Sequence, residues 1–207
     1  MSRVVAIIDY GLGNIHSVVK AIEACSGRDQ SVVLASTPNE AKGADHIIVP
    51  GVGAMRDCMA GLRQQGFIEP LNHWRLEKPV LGICMGMQVM MAISAEGGDE
   101  PGLGWFDFKV ERLETGGLKV PHMGWNQVAQ KQPHEIWHGI ADNAWFYHVH
   151  SYCVSNTSAL ESIGVCEYGQ PFSTVVARDY VVGVQFHPEK SAESGLRLLK
   201  NFLAWSP

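Results

Sequence analysis

Along the first half of the chain, short apolar runs alternate with stretches of helical periodicity. Arg3–Ile8, Ser31–Ala35, His46–Val49 and Pro79–Ile83 read as strands. Ile15–Cys25, Pro38–Lys42, Met55–Gln65, Ile68–Leu76 and Gly86–Ser94 read as helices. Strands alternating with helices imply βαβ units and a parallel sheet. Right-handed crossovers then place helices on both faces.

The second half has a different rhythm. Trp105–Leu113, Ala144–Val154, Glu161–Glu167, Phe172–Arg178 and Val181–Phe186 read as successive strands with short turns, an antiparallel extension of the sheet. A last helix, Ser191–Ala204, carries Leu196, Leu199 and Leu203 at helical spacing and should pack on the sheet. Glu96–Leu103, Glu114–Gly117 and Ala129–His134 read as loops, none long enough to divide the chain. There are no repeats and no low-complexity tracts. The expected fold is one α/β domain over residues 1–207. It is a three-layer, open, mostly parallel sheet with helices on both faces and antiparallel strand additions in the C-terminal half.

Composition narrows the class. The 207 residues suffice for one sizeable core and are too few for two ordinary enzyme domains. With 46% hydrophobic and 18% charged residues the chain reads as globular, not disordered. A formal charge of −5 without a Lys/Arg cluster gives no footprint for nucleic acid or an anionic membrane. The apolar run Val4–Ile8 is too short for a signal-peptide core or a membrane span, so a cytoplasmic protein is expected. Five cysteines without a CxxC pair argue against a disulfide framework or a zinc ribbon.

One thiol stands apart. In LGICMGMQ, residues 81–88, a strand runs into Gly-x-Cys-x-Gly and then into a helical pattern. That order matches the hydrolase nucleophile elbow, with sulfur in place of oxygen. A helix starting beside Cys84 should favour its thiolate, and the Met85 N–H should face the oxyanion of an attacked carbonyl. The competing reading is a small buried core residue, which is retained for Cys25, Cys58, Cys153 and Cys166.

A base for Cys84 lies in GVQFHPEKS, residues 183–191. Pro188 biases His187 to extended backbone, and residues two apart in extended chain share a side, so Glu189 can reach the imidazole. Alone, His-Pro-Glu reads first as a surface turn. Beside an elbow it supplies Cys–His–acid logic, in which the base activates the thiol and the acid orients the base. VPGVGAM, residues 49–55, adds Gly51, Val52 and Gly53 as an oxyanion loop. No Lys-Ser/Thr follows it, so it is not a P-loop. DYGLGNIH, residues 9–16, lacks the third glycine of a dinucleotide fingerprint. His148 with His150, and His134 with His138, reach no recognised four-ligand spacing, so no metal is expected.

These motifs together resemble the class I (triad) glutamine amidotransferases. IIDYGLGNIHSV, LKVPHMGWNQV and FHPEKS, spread nearly end to end, further resemble the glutaminase subunits of imidazole glycerol phosphate synthase. Met85 departs from the leucine common there, with little consequence for a backbone donor. The resemblance implies that Cys84 attacks the side-chain amide of glutamine and that His187, oriented by Glu189, moves the protons. It implies that amides of Met85 and the Gly51–Val52 loop hold the oxyanion. Gln88, His150, Ser151 and Tyr152 would line the substrate pocket. No cofactor is implied.

The implied partner is a separate (β/α)8-barrel cyclase that forms a heterodimer with this chain and consumes its ammonia. Lys119, Pro121, His122, Met123, Trp125 and Asn126, with Gly124 for a tight turn, form a mixed apolar patch suited to that interface, and Asn14 is a second contact. A core-facing loop fits the same composition. A stand-alone cysteine amidase or peptidase-like hydrolase, and a non-catalytic binding module, are the competing functional classes.

Overall fold

A computed structural model describes residues 3–207. Its elements run β1 (Arg3–Ile8), α1 (Ile15–Cys25), β2 (Gln30–Ala35), α2 (Pro38–Ala41), β3 (His46–Gly51), α3 (Met55–Gln64), α4 (Ile68–Trp74), β4 (Val80–Cys84) and α5 (Met85–Gln88). They continue with β5 (Met91–Ser94), β6 (Glu100–Pro101), β7 (Phe106–Arg112), β8 (His122–Gln130), β9 (Ala144–His150) and β10 (Tyr152–Val154). β11 (Ser162–Tyr168), β12 (Gln170–Arg178), β13 (Val181–Val184) and α6 (Ala192–Ala204) complete the chain.

The sheet runs β2-β1-β3-β4-β13-β12-β10-β7-β5-β6, with β11 pairing β12 and β8, and β8 pairing β9. The first five strands of that order are all parallel. From β12 onward antiparallel pairing takes over, with β5 beside β7 a parallel exception. Strand period explains the two cores. In β1, Val5 and Ile7 face one layer with α1 and α6, while Ala6 and Ile8 face the other with α3 and α4. The central strands are covered on both faces and read as nearly continuous apolar runs, whereas the edge strand β2 is only partly buried. On α6 the buried apolar side chains are Leu198, Leu199, Phe202 and Leu203, whereas Leu196 turns outward.

Two of the expectations that bear on the site change. The helix expected over Gly86–Ser94 stops after one turn at Gln88, and Met91–Ser94 becomes strand β5. Val89–Met91 is an apolar run that fits either state by periodicity. Its carbonyls of Val89, Met90 and Met91 accept from the N–H groups of Leu103, Trp105 and Gly104 at 2.7, 2.8 and 3.1 Å, so tertiary pairing decides. Second, the patch around Gly124 is no tight turn. It is β8, in register with β9 from His122 opposite His150 to Val128 opposite Ala144.

Candidate active site

β3, β4 and β13 are adjacent parallel strands, and their C-terminal ends deliver Gly51, Cys84 and the Gln185–His187 segment to one edge of the sheet. Crevices at such strand ends are where open α/β sheets bind ligands. Here the crevice is a cavity of about 330 Å³. A larger open groove of about 780 Å³ between Pro133 and Trp205 brings together no nucleophile and base, so size does not mark the site.

Cys84 ends β4 with φ 54° and ψ −107°, a conformation that costs a non-glycine residue roughly 1–3 kcal/mol. The neighbouring glycines make that turn possible. A Cβ at Gly86 would collide with the Val49 carbonyl, and one at Gly82 with the Gly86 carbonyl. The thiol is 5% exposed and faces the cavity, with its sulfur 3.8 Å from the Val149 carbonyl and 3.8 Å from Gln185 Nε2. α5 is a single turn, so the expected dipole of a long helix at the thiol is not there.

His187 shares the cavity with Cys84, and its Nδ1 is hydrogen-bonded to Glu189 Oε1 at 2.9 Å. The Glu189 side chain is only 1% exposed. The contact arises differently from the expectation, because Pro188–Lys190 is a 3₁₀ turn rather than extended chain. The His187 N–H donates to the Tyr147 carbonyl at 2.9 Å, and the Ser191 hydroxyl donates to the His187 carbonyl at 2.6 Å. Burial disfavours charge on the imidazole, but interactions with the Cys84 sulfur and the Glu189 carboxylate outweigh it and raise His187 to about 9. A thiol, a base held protonated beside it and a buried carboxylate form a constellation suited to nucleophilic acyl transfer.

The cavity wall carries Val52, Gly53, Met85, Gln88, His150, Ser151 and Tyr152, and Gly51 lies just behind it against Met85 and Gly86. Gln88 Nε2 donates to the Tyr152 carbonyl at 3.1 Å and to Gln185 Oε1 at 2.9 Å, while its Oε1 is buried without a partner. Three lining residues lay outside the sequence reading. Glu96 sits in a loop with no motif to mark it, and its Oε2 accepts the Met55 N–H at 2.9 Å. Lys190 stands at the rim beside Glu189. Val149 neighbours His150 on β9. Behind this lining, Gln185 touches Cys84; strand period could have found it, since 183, 185 and 187 share a side.

The residues expected at a partner surface divide by strand alternation. Met123 and Trp125 point out of β8, 62% and 48% exposed, next to Trp145 of β9 at 52%. Lys119 is also exposed, and Asn14 is half-buried where α1 begins. Pro121 turns to the cavity instead. His122 is buried and cannot offer a contact, and the half-buried Asn126 spends its amide inward, on His122 Nε2 at 3.3 Å and the Glu167 carbonyl at 2.8 Å. Cys58, Cys153 and Cys166 are core thiols that burial pushes up to about 11, 12 and 12. Cys25 is half-buried rather than core, its sulfur 3.4 Å from the Leu196 carbonyl.

The family description "Glutamine amidotransferase class-I" matches residues 6–205. A relative from Dechloromonas aromatica (strain RCB), "Imidazole glycerol phosphate synthase subunit HisH", is 48% identical over 99% of this chain and 98% of its own. The protein of the same description from Acinetobacter baylyi (strain ATCC 33305 / BD413 / ADP1) is 45% identical over the full length of both. Among solved structures, a glutamine amidotransferase superposes with a TM-score of 0.72 at 17% identity, covering 96% of this chain and 97% of that one. Another glutamine amidotransferase, from Thermotoga maritima, superposes at 0.60 with 15% identity, covering 99% and 84%.

Proposed function

The chain belongs to the class I glutamine amidotransferase family, and on that premise we propose that it is the glutaminase subunit of an imidazole glycerol phosphate synthase. One observation carries the reading: Cys84, the His187–Glu189 pair and Gln88 meet around a single cavity at the strand ends. The thiolate of Cys84 attacks the side-chain carbonyl carbon of glutamine, and the C=O pair moves onto oxygen. N–H groups of Met85 and the Gly51–Val52 loop hold that oxyanion. His187, which carries the proton, gives it to the amide nitrogen, and the C–N bond breaks to release ammonia. A glutamyl thioester remains on Cys84. His187 then takes a proton from water, the hydroxide displaces the sulfur, and glutamate leaves. Gln88, His150, Ser151 and Tyr152 form the pocket for the substrate's amino-acid end, and the Glu96 carboxylate suits its ammonium group.

The ammonia passes to a (β/α)8-barrel cyclase in a heterodimer. There it is built into imidazole glycerol phosphate with release of an aminoimidazole carboxamide ribotide, a step of histidine biosynthesis in the cytoplasm. Exposed Met123 and Trp125, with Lys119 and Asn14, supply the docking surface on this chain. The continuous sheet and the family match over residues 6–205 support reading residues 1–207 as one amidotransferase domain. Oxyanion support is completed when the partner is loaded with nucleotide. The test is copurification with the cyclase and a glutaminase assay with and without nucleotide. Hydrolysis should rise strongly with the nucleotide-loaded partner and vanish in Cys84→Ser. Equal rates with and without partner would overturn the conditional activity, and an active Cys84→Ser would overturn the mechanism.

A further inference from the structure

Two buried side chains outside the triad grip the oxyanion loop from behind. The Tyr10 hydroxyl, at the end of β1, donates to the Pro50 carbonyl at 2.7 Å. The Cys58 thiol, on α3, donates to the Val52 carbonyl at 3.5 Å. Both residues are buried, and neither lines the cavity that Val52, Gly53 and Cys84 share. The tyrosine ring sits in a slot cut by two glycines. A Cβ on Gly51 would lie 2.5 Å from the Tyr10 hydroxyl, and a Cβ on Gly61 would lie 2.9 Å from its Cδ2. The slot would hold a phenylalanine ring as well, so packing alone does not call for the hydroxyl.

Burial holds the Tyr10 phenol well above its ordinary range and pushes the Cys58 thiol to about 11. Both therefore stay protonated donors at neutral pH, and a carbonyl oxygen can only accept from them. Because a peptide is planar and trans, fixing a C=O fixes the following N–H in the opposite direction. Tyr10 thus sets the Pro50–Gly51 peptide, and Cys58 sets the Val52–Gly53 peptide. Between them lies the Gly51–Val52 peptide.

We infer that Tyr10 and Cys58 are positioning residues of the oxyanion loop, turning the carbonyls of Pro50 and Val52 away from Cys84 so that the loop offers N–H groups, not oxygens, to the reacting carbonyl. The inference rests on the glutaminase reading above. A loop carbonyl released toward the cavity would repel the developing oxyanion and slow acyl transfer while leaving glutamine's amino-acid end bound as before.

The experiment uses the complex with the cyclase and the variants Tyr10→Phe and Cys58→Ala. Each is assayed for glutamine hydrolysis and, separately, for alkylation of Cys84 by iodoacetamide. Alkylation forms the S–C bond as iodide leaves a saturated carbon, so it develops no oxyanion. Tyr10→Phe and Cys58→Ala should each lower kcat about tenfold or more, with glutamine KM and the alkylation rate within about twofold. Unchanged kcat in both variants overturns the inference. A parallel fall of kcat and alkylation also overturns it, because the triad itself has then moved. A wild-type complex that does not hydrolyse glutamine sinks the functional reading instead. Should Tyr10→Phe fold poorly, Cys58→Ala reads out the same loop from another element.

Discussion

His187 and His150 line the same cavity, yet the fold drives them to opposite protonation states. His187 is raised to about 9, whereas His150 is pressed down to about 3 and its neighbour His122 to about 4. His148, behind them, is also held well below the ordinary range by burial and by the other rings. All four are buried, so burial alone does not separate them. Partners do. His187 meets the Glu189 carboxylate and the Cys84 sulfur, whereas the others meet only neutral groups. His150 Nδ1 lies 3.0 Å from the Tyr152 carbonyl, which can only accept, so that nitrogen carries the proton. His150 Nε2 must then accept from His122 Nδ1 at 3.0 Å, and His122 Nε2 from the Asn126 amide. The Thr174 hydroxyl likewise serves His148 Nε2 at 3.0 Å. The difference teaches that a thiol sulfur and a carboxylate brought beside a core histidine turn it into a proton carrier. Without them, the same residue becomes a neutral hydrogen-bonded wall.

The largest effect should come from erasing that difference. Glu189→Gln leaves His187 with a neutral partner, and kcat for glutamine should fall about 10³-fold or more. A loss under tenfold in a steady-state assay of the complex would break the comparison. The outer face of the neutral cluster's own strand gives the next test. Trp125→Ala should weaken partner affinity by about 30-fold by calorimetry, while isolated-chain stability shifts by under about 0.5 kcal/mol. An unaltered affinity would remove this face from the docking surface.

His122→Phe keeps a ring stacked on Tyr168, now at a centroid distance of 4.1 Å, but deletes the donor to His150. Stability by urea titration at pH 7 should drop by about 1–2 kcal/mol, with no change in the His187 pKa by NMR. No measurable loss would show the relay to be idle.

The smallest effects are in pH dependence. His187 has a raised folded-state pKa, so its stabilising contribution is complete below about 6.5 and is lost as pH rises through about 9. His122 and His150 have depressed values, so theirs is present above about 6.5 and is lost as pH falls toward 4 and 3. In the proposed mechanism the imidazolium protonates departing ammonia, and it disappears above about 9, so kcat should decline there. NMR titration of the imidazoles should find His187 still charged at pH 8 and His150 neutral at pH 5. A common midpoint near 6.5 would abolish the contrast.

Much of the parallel half was readable because each strand and helix there is local. β1 and α1 have the expected bounds, and β4 ends on Cys84 one residue past the expected run. The His187–Glu189 contact was also readable in outcome, since a two-residue separation keeps the groups close in either backbone form. β8 was not readable as a strand. Its pattern His122-Met123-Gly124-Trp125 mixes polar and apolar residues on both sides, because one side faces a polar histidine cluster and the other bears exposed aromatics. β5 was hidden for the opposite reason, since a uniformly apolar run carries no period.

By itself the sequence determined the strand–helix alternation, the turn at Cys84, the pairing of His187 with Glu189, and the glycine-rich loop. Each depends on backbone geometry over a few neighbouring residues. Only the tertiary structure decided which histidine would hold a proton, that His122 and Asn126 turn inward, and that Glu96 reaches the site. It also revealed Tyr10 and Cys58 behind the loop they grip. Those properties arise from burial and from which groups the fold brings into contact, near or far along the chain, and residue spacing alone fixes neither.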